Sequence, residues 1–317
     1  MWIGIDVGGT TIKGGLVSDK GEIVARLQQK TAVKEGYETV MDQISEMVNQ
    51  LKNSDSSIEP VYAVGIGAPG TTSPQGDVYF ANNLGWEGLP FQKDMANRLG
   101  IPVFVENDAT MAAMGEYACG SLQSVKNGIL LTLGTGVGSG LIINGKPYSG
   151  SHGLGRQAGH MIVGKNFYTC TCGTNGCLET FASATALVRY YEKRKKDCEK
   201  TEPAERESDI DARKVMKMAA SGNKLAQESV CRLIYYLSIG VANLINILDP
   251  EIIALGGGLA KAGDQLFEPL HRELKKKVYD SDRLFTSVVP AVLGNDAGLV
   301  GSGMFARLKV SKHDKQF

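Results

Sequence analysis

Residues 105–116 read VENDATMAAMGE, and the organisation of the chain turns on how they are taken. Ahead of them, Gly100-Ile101-Pro102 punctuates the chain, and the apolar run Ile101 to Val105 has the length of a buried strand. Behind them, Ala109 to Ala118 is rich in small residues and reads as a helix. Glu106-Asn107-Asp108 therefore stands where a strand hands over to a helix, and open α/β sheets bind their ligands at that lip. Asp108 has two readings. It can take a proton from a substrate hydroxyl as a general base, or it can do no more than accept the first N–H groups of the helix as an N-cap. The rest of the chain has to decide between them.

At 317 residues the chain exceeds one ordinary core, so two domains are expected. Lys+Arg and Asp+Glu both number 34, and this balance argues against nucleic acid or an anionic membrane as the main partner. The N-terminal residues show no basic segment leading into an apolar one, and no unbroken apolar run approaches ~18 residues, so a cytoplasmic protein is expected. Glycine stands out: many of the 39 cluster beside β-branched runs, as where backbone approaches something closely.

The first cluster is Gly8-Gly9-Thr10-Thr11, between strands expected at residues 2–7 and 12–18, with a third strand at 22–27 completing a meander. Such a turn either is merely tight or cradles a phosphate on its N–H groups, with Asp6 just before it holding a hydrated Mg²⁺. About 128 positions later the device recurs. Ile129 to Leu133 is a strand, Gly134-Thr135-Gly136-Val137-Gly138-Ser139-Gly140 a glycine turn, and Leu141 to Ile143 a returning strand. The echo predicts two similar domains that present phosphate-binding hairpins to a shared cleft. The boundaries expected are 1–118 with 298–317 for a small N-terminal domain, and 119–297 for a larger one. A third cluster, Gly256-Gly257-Gly258, follows the strand Glu251 to Leu255 and either turns tightly or admits a nucleoside against bare backbone.

Between these clusters, helical spacing marks Tyr37–Lys52, Phe181–Asp197 and Leu225–Leu248, and a final helix of small residues, Leu299–Leu308, is suited to close packing. Val61 to Ile66 is a strand, while Asn53–Pro60, Phe80–Trp86 and Lys196–Ile210 read as loops. Within Phe80–Trp86, Asn83 is a turn former or a partner for a sugar hydroxyl, which both donates and accepts. Cys170-x-Cys172-x₄-Cys177, with His160 ten residues upstream, offers three sulfurs and one nitrogen, a closed tetrahedral set suited to structural Zn²⁺. Cys119, Cys198 and Cys231 are scattered, and His152, His271 and His313 have no partner in the sequence.

Taken in order, these segments resemble the ROK family, sugar kinases of the α/β actin-like ATPase (ribonuclease H-like) fold that share ancestry with some transcriptional repressors. The resemblance rests on Asp6 to Thr10, Glu106-Asn107-Asp108, Leu133 to Gly138, Gly159-His160, Cys170 to Glu179, Gly256 to Leu259 and Asn295 to Gly298, over nearly the whole chain. It is greatest to the family's bacterial glucokinases, which implies glucose and ATP as substrates, Mg²⁺ for catalysis, Zn²⁺ for structure and a homodimer. It implies Asp108 as base and Asn83, Asn107, Gln157, His160 and Glu179 on the sugar. It implies Asp6, Gly8, Gly9, Thr10, Thr11, Lys13, Gly134, Thr135, Gly136, Gly256, Gly257 and Gly258 for the nucleotide and its metal. His160 would serve both zinc and sugar.

Relatives usually carry Gly-Glu-x-Gly-His where this chain has Arg156-Gln157-Ala158-Gly159-His160. An amide accepts once and donates once where a carboxylate accepts twice, and a charged hydrogen bond is worth ~1.5–3 kcal/mol. Gln157 therefore either weakens glucose binding or suits another hexose, such as an N-acetylated amino sugar. A sugar-sensing repressor is the rival from another class. The absence of a DNA-reading segment before Trp2 and the zero net charge argue against it.

Overall fold

The computed structural model describes residues 1–54, 60–198 and 210–313, with the side chains of 312 and 313 excepted. The loops expected at Asn53–Pro60 and Lys196–Ile210 fall mostly outside the described residues.

The chain opens with the expected meander: β1 (Trp2–Val7), β2 (Thr11–Val17) and β3 (Ile23–Lys30). β1 and β2 pair antiparallel from Trp2↔Val17 to Val7↔Ile12. β3 alternates half-buried and exposed residues, as an edge strand does when one face is solvated. β4 (Ala63–Ala68) adds parallel to β1, and a further parallel strand, Val103–Asn107, adds to β4. α1 (Tyr37–Lys52) lays Val40, Ile44, Met47, Val48 and Leu51 onto the core made by Ile3, Ile5, Ile12 and Leu16. This is the helical spacing read in the sequence.

The segment Phe80–Trp86 is not the simple loop expected. β5 (Thr71–Thr72), β6 (Val78–Ala81) and β7 (Trp86–Leu89) form a small sheet, and the Ala81↔Trp86 pair closes a hairpin over Asn82–Gly85. Trp86 is buried against Tyr37 and Phe91, so aromatic packing favours the pairing that the adjacent amides obscured. α2 (Phe91–Leu99) leads into the parallel strand, β8 (Val103–Asn107), and the first sheet has the order β3-β2-β1-β4-β8.

α3 (Asp108–Cys119) follows at once, then β9 (Gly128–Leu133), β10 (Val137–Ile143) and β11 (Lys146–Tyr148). α4 (Glu179–Ala182) and α5 (Ala184–Cys198) replace the single helix expected over 181–197. The break falls at Ser183, whose extended backbone lets its hydroxyl cap the second piece by accepting from Ala186 N–H at 3.0 Å. α6 (Ala212–Ala220), α7 (Lys224–Leu248), β12 (Ile252–Gly256), α8 (Asp264–Leu274), β13 (Ser287–Pro290) and α9 (Ala297–His313) complete the described chain. The second sheet runs β11-β10-β9-β12-β13, the positional order of the first, so the glycine-turn echo belongs to a repeated sheet.

The chain divides into two compact units, one of Met1–Leu130, Gly140–Arg156 and Val292–Phe317, the other of Leu131–Ser139 and Gln157–Ala291. In the first, α9 packs on β1, β4 and α3 through glycines. A Cβ at Gly4 or Gly65 would overlap the Leu299 or Ser302 carbonyl, and one at Gly301 would overlap the Met111 carbonyl of α3. Glu116, fully buried on α3, accepts from Ser121 and from the N–H groups of Val292 (3.2 Å) and Leu293 (2.8 Å), fastening the point where the chain re-enters this unit. In the second unit α7 is the hub and touches α4, α5, α6 and α8. By length and composition α7 could cross a membrane, but 56% of its apolar window is buried in the protein, as in a core helix.

Candidate active site

At Asn107–Asp108 the end of a strand is joined directly to a helix. β8 runs two residues further than expected, so Glu106 and Asn107 belong to the strand. Asn107, not Asp108, caps α3: its Oδ1 accepts from Ala109 N–H at 3.1 Å and Thr110 N–H at 3.2 Å. Both residue types cap well, so composition could not choose between neighbours. Asp108 is the first helical residue, and its Oδ1 accepts from Ala109 N–H at 2.7 Å and Asn107 Nδ2 at 2.8 Å. Its Oδ2 has no hydrogen-bond partner among the described residues. Burial pushes the Asp108 carboxyl up to about 6; the Ala109 N–H opposes this, the Asp6 carboxylate adds to it, and Asn107 and Arg156 hold it down.

Around this pair lies a polar cluster that the sequence reading did not assemble. Glu106 accepts from Thr72 Oγ1 (2.8 Å), Ser149 Oγ (2.7 Å), Asn107 N–H (2.7 Å) and Arg156 Nη2 (2.9 Å). The Arg156 side chain is only 1% exposed. Its backbone has φ +67°, a left-handed conformation that strains a non-glycine residue. The sequence marked Arg156 only as a residue standing where glycine is usual. An arginine at a glycine position, with Glu106 two residues before Asp108, was the available signal.

Asp6, one residue before the end of β1, lies beside Lys13 Nζ (3.9 Å), which also donates to the Asn295 carbonyl. Burial raises the Asp6 pKa and Lys13 opposes it. Gly298 leaves room for this carboxylate, since a Cβ there would lie 3.1 Å from Asp6 Cγ. The Gly8–Thr11 turn closes by Gly8 N–H donating to the Thr11 carbonyl (2.9 Å), and Thr31 Oγ1 donates to the Gly8 carbonyl (2.6 Å). A Cβ at Gly9 would come within 3.1 Å of Asn83, so this turn and Asn83 are neighbours. The first unit thus gathers Asp6, the glycine turn with Thr10, Lys13, Asn83, Asn107 and Asp108.

In the second unit Gly134 N–H donates to the Gly136 carbonyl (3.0 Å), and Ala184 N–H to the Gly134 carbonyl (2.8 Å), with Thr135 at the turn between them. Gly257, at φ +83°, lies so near Leu133 that a Cβ would meet its backbone, which brings Gly256–Gly258 beside the Gly134–Gly136 turn. Gly258 faces open space. Glu179 Oε2 accepts from Val137 N–H (3.1 Å), and a Cβ at Gly136 would overlap that carboxylate. Gln157 is exposed, and its side chain makes no capping hydrogen bond to the short turn that follows it.

The ligand atoms of His160, Cys170, Cys172 and Cys177 all lie within 4.8 Å of one another. Cys170 Sγ is 3.8 Å from His160 Nδ1, and the Cys172 and Cys177 sulfurs are 3.6 Å apart. Ligands ~2.3 Å from a tetrahedral zinc stand ~3.8 Å apart, so the set fits the ion. Asn175 binds the loop to Asn166 and Tyr168, and Gly173 and Gly176 adopt positive φ to turn it. Cys170 Sγ also lies 3.5 Å from Glu179 Oε1, which joins the sulfur set to the carboxylate.

Known proteins resemble this chain over nearly its whole length. Residues 2–309 match the sequence model of the ROK family. The chain is 33% identical to a glucokinase of Halalkalibacterium halodurans over 99% of this chain and 97% of that protein. It is 36% identical to a glucokinase of Thermotoga maritima over 97% and 98%. Among solved structures, a ROK family glucokinase from Streptomyces griseus in complex with glucose and AMPPNP superposes with a TM-score of 0.80 at 32% identity, covering 97% of this chain and 99% of that one. With two sheets of one strand order and a close superposition on that glucokinase, the chain has the actin-like ATPase fold and belongs to the ROK family.

Proposed function

We propose that this sugar kinase transfers the γ-phosphoryl group of ATP to the 6-hydroxyl of a hexose, with glucose as the first candidate. The observation that carries the reading is Asp108: one oxygen held by two donors, the other unengaged, and a pKa near 6. A base is most effective when its pKa lies near the working pH, and burial places this carboxyl there. Asp108 Oδ2 would accept the hydroxyl proton while the sugar oxygen bonds to the γ-phosphorus. The bond to the β,γ-bridging oxygen breaks, and ADP leaves with its electron pair. The transition state is loose, so positioning and charge neutralisation supply most of the rate.

Asn83 and Asn107 in the first unit, and Gln157, His160 and Glu179 in the second, are the residues proposed for sugar hydroxyls. Both Asn107 donors are spent, on Gly70 O (2.9 Å) and Asp108, so it would reach a hydroxyl only by exchanging one of them. Gly8, Gly9, Thr10, Thr11 and Lys13, with Gly134–Gly136 and Gly256–Gly258, would hold the nucleotide. Asp6 would hold hydrated Mg²⁺, which when bound neutralises charge on the phosphates. Zn²⁺ on His160, Cys170, Cys172 and Cys177 would be structural. A cytoplasmic homodimer completes the proposal.

The exposed Gln157 amide, a donor as well as an acceptor, favours a second substrate reading: a hexose bearing an N-acetyl carbonyl. Steady-state rates with ATP on glucose, mannose, N-acetylmannosamine, N-acetylglucosamine, fructose and allose separate the two. Phosphorylation of none of these would overturn the kinase assignment to hexoses.

A further inference from the structure

The buried guanidinium of Arg156 has no part in the mechanism above, although the chain accepts a left-handed backbone to place it. Its Nε lies 3.4 Å from Asn107 Oδ1, its Nη1 3.2 Å from the Gly153 carbonyl, and its Nη2 2.9 Å from Glu106 Oε1 and 3.4 Å from Thr72 Oγ1. Asn107 is the node of this arrangement. Its Oδ1 faces three donors, from Ala109, Thr110 and Arg156, so a rotated amide would turn its own N–H groups against all three. The amide nitrogen is thereby aimed at the Gly70 carbonyl and Asp108 Oδ1. With Ala109 N–H also on Oδ1, the other carboxylate oxygen is the one left to accept a proton.

We propose that Arg156 is a positioning residue of the phosphoryl-transfer site: clamped to Glu106, it locks the Asn107 amide and through it selects which oxygen of Asp108 meets the acceptor hydroxyl. The inference rests on the kinase reading for its kinetic consequence, but not for its structural one. It requires the planar fork of arginine, because a lysine ammonium carries the charge without spanning Asn107, Glu106 and Gly153 at once. Glu106 is equally required, since its carboxylate, held by the Thr72 and Ser149 hydroxyls, fixes where the fork sits.

The test compares Arg156→Gly, Arg156→Lys and the double variant Arg156→Gly with Glu106→Gln. In the sugar-free protein the side-chain amide protons of Asn107 are followed by NMR. Each variant is expected to shift those signals and speed their exchange with solvent, because one of the three donors that lock the amide is gone. With the sugar that the wild type phosphorylates, kcat is expected to fall about tenfold to a hundredfold, the usual cost of a misaligned reacting group. The KM for ATP should stay within about twofold, because uniform binding of the nucleotide is untouched. The lysine variant should resemble the glycine variant. Asn107 signals unmoved in all three variants, or a wild-type kcat in Arg156→Lys, would overturn the inference. If Arg156→Gly does not fold, the lysine variant and the double variant, which leaves no unpaired buried carboxylate, carry the same measurements. A wild type inactive on every hexose would defeat the kinase reading alone, and the amide signals would still decide the role of Arg156.

Discussion

Asp108 shows what a raised pKa does to both activity and stability. Its carboxyl moves from an ordinary 3.8 to about 6, so the folded protein holds this proton more tightly than the unfolded chain. Activity needs the deprotonated form, so kcat/KM should fall about tenfold per pH unit below about 6, as a pH–rate profile will show. Stability runs the other way. Between pH 3.8 and about 6 the folded state binds more protons, so this residue's contribution is fully present at low pH and is lost as pH rises through the window. Asp108→Asn should therefore lower kcat by about 10²–10⁴ and raise stability at pH 7 by about 1–3 kcal/mol. Denaturant unfolding at pH 7 and pH 4 checks this, and the gain should vanish at the lower pH. Gln157→Glu restores the acceptor pair usual in relatives and should lower the KM for glucose about ten- to a hundredfold if glucose is the substrate. At this scale the place of Asp108 at a strand-to-helix junction was legible, because an apolar run passes there into a stretch of small residues. The Glu106–Arg156 pair was not, since its members lie 50 positions apart and only the fold brings them together.

Among the elements, α3 and α9 meet where neither tolerates a side chain. A Cβ on Gly301 would overlap the Met111 carbonyl, and one on Gly115 the Ala297 carbonyl. Gly301→Ala should cost about 1–3 kcal/mol by overpacking, read as a lower Tm, and should reduce kcat because α3 carries Asp108 at its first turn. An alanine variant with unchanged Tm and kcat would mean that the two helices are free to move apart. The cysteine loop has its own test. Elemental analysis should find about one zinc per chain, and chelation or Cys172→Ala should lower Tm and sugar affinity together. A preparation with full stability and no zinc ends that assignment. Amphipathic spacing placed α1 and α7 closely from the sequence. The β6–β7 hairpin and the break at Ser183 escaped it, because buried Trp86 and a hydroxyl cap set them rather than periodicity.

At the scale of the molecule, the two sheets repeat one strand order, and two glycine turns were enough to announce it. The remaining strands of the second sheet were harder to see: β11 has three residues and β13 four, too few for alternation to register. The chain's path between its two compact units, crossing after Leu130, Ser139, Arg156 and Ala291, depends on tertiary packing and leaves no mark in composition. Light scattering should give twice 33.9 kDa if the proposed homodimer holds. A monomer at micromolar concentration would remove it.

The fastening of Val292 and Leu293 by Glu116, and the seating of α9 on β1 and β4, also have a consequence for biosynthesis. The first unit lacks its last helix until the ribosome has passed Ala297, where α9 begins. At ~5–20 residues per second, a nascent chain that has completed α3 waits about 10–35 s for α9 to emerge. Through that interval the bare glycine grooves of β1 and β4 lie uncovered, making this half of the newborn protein a natural client for chaperones.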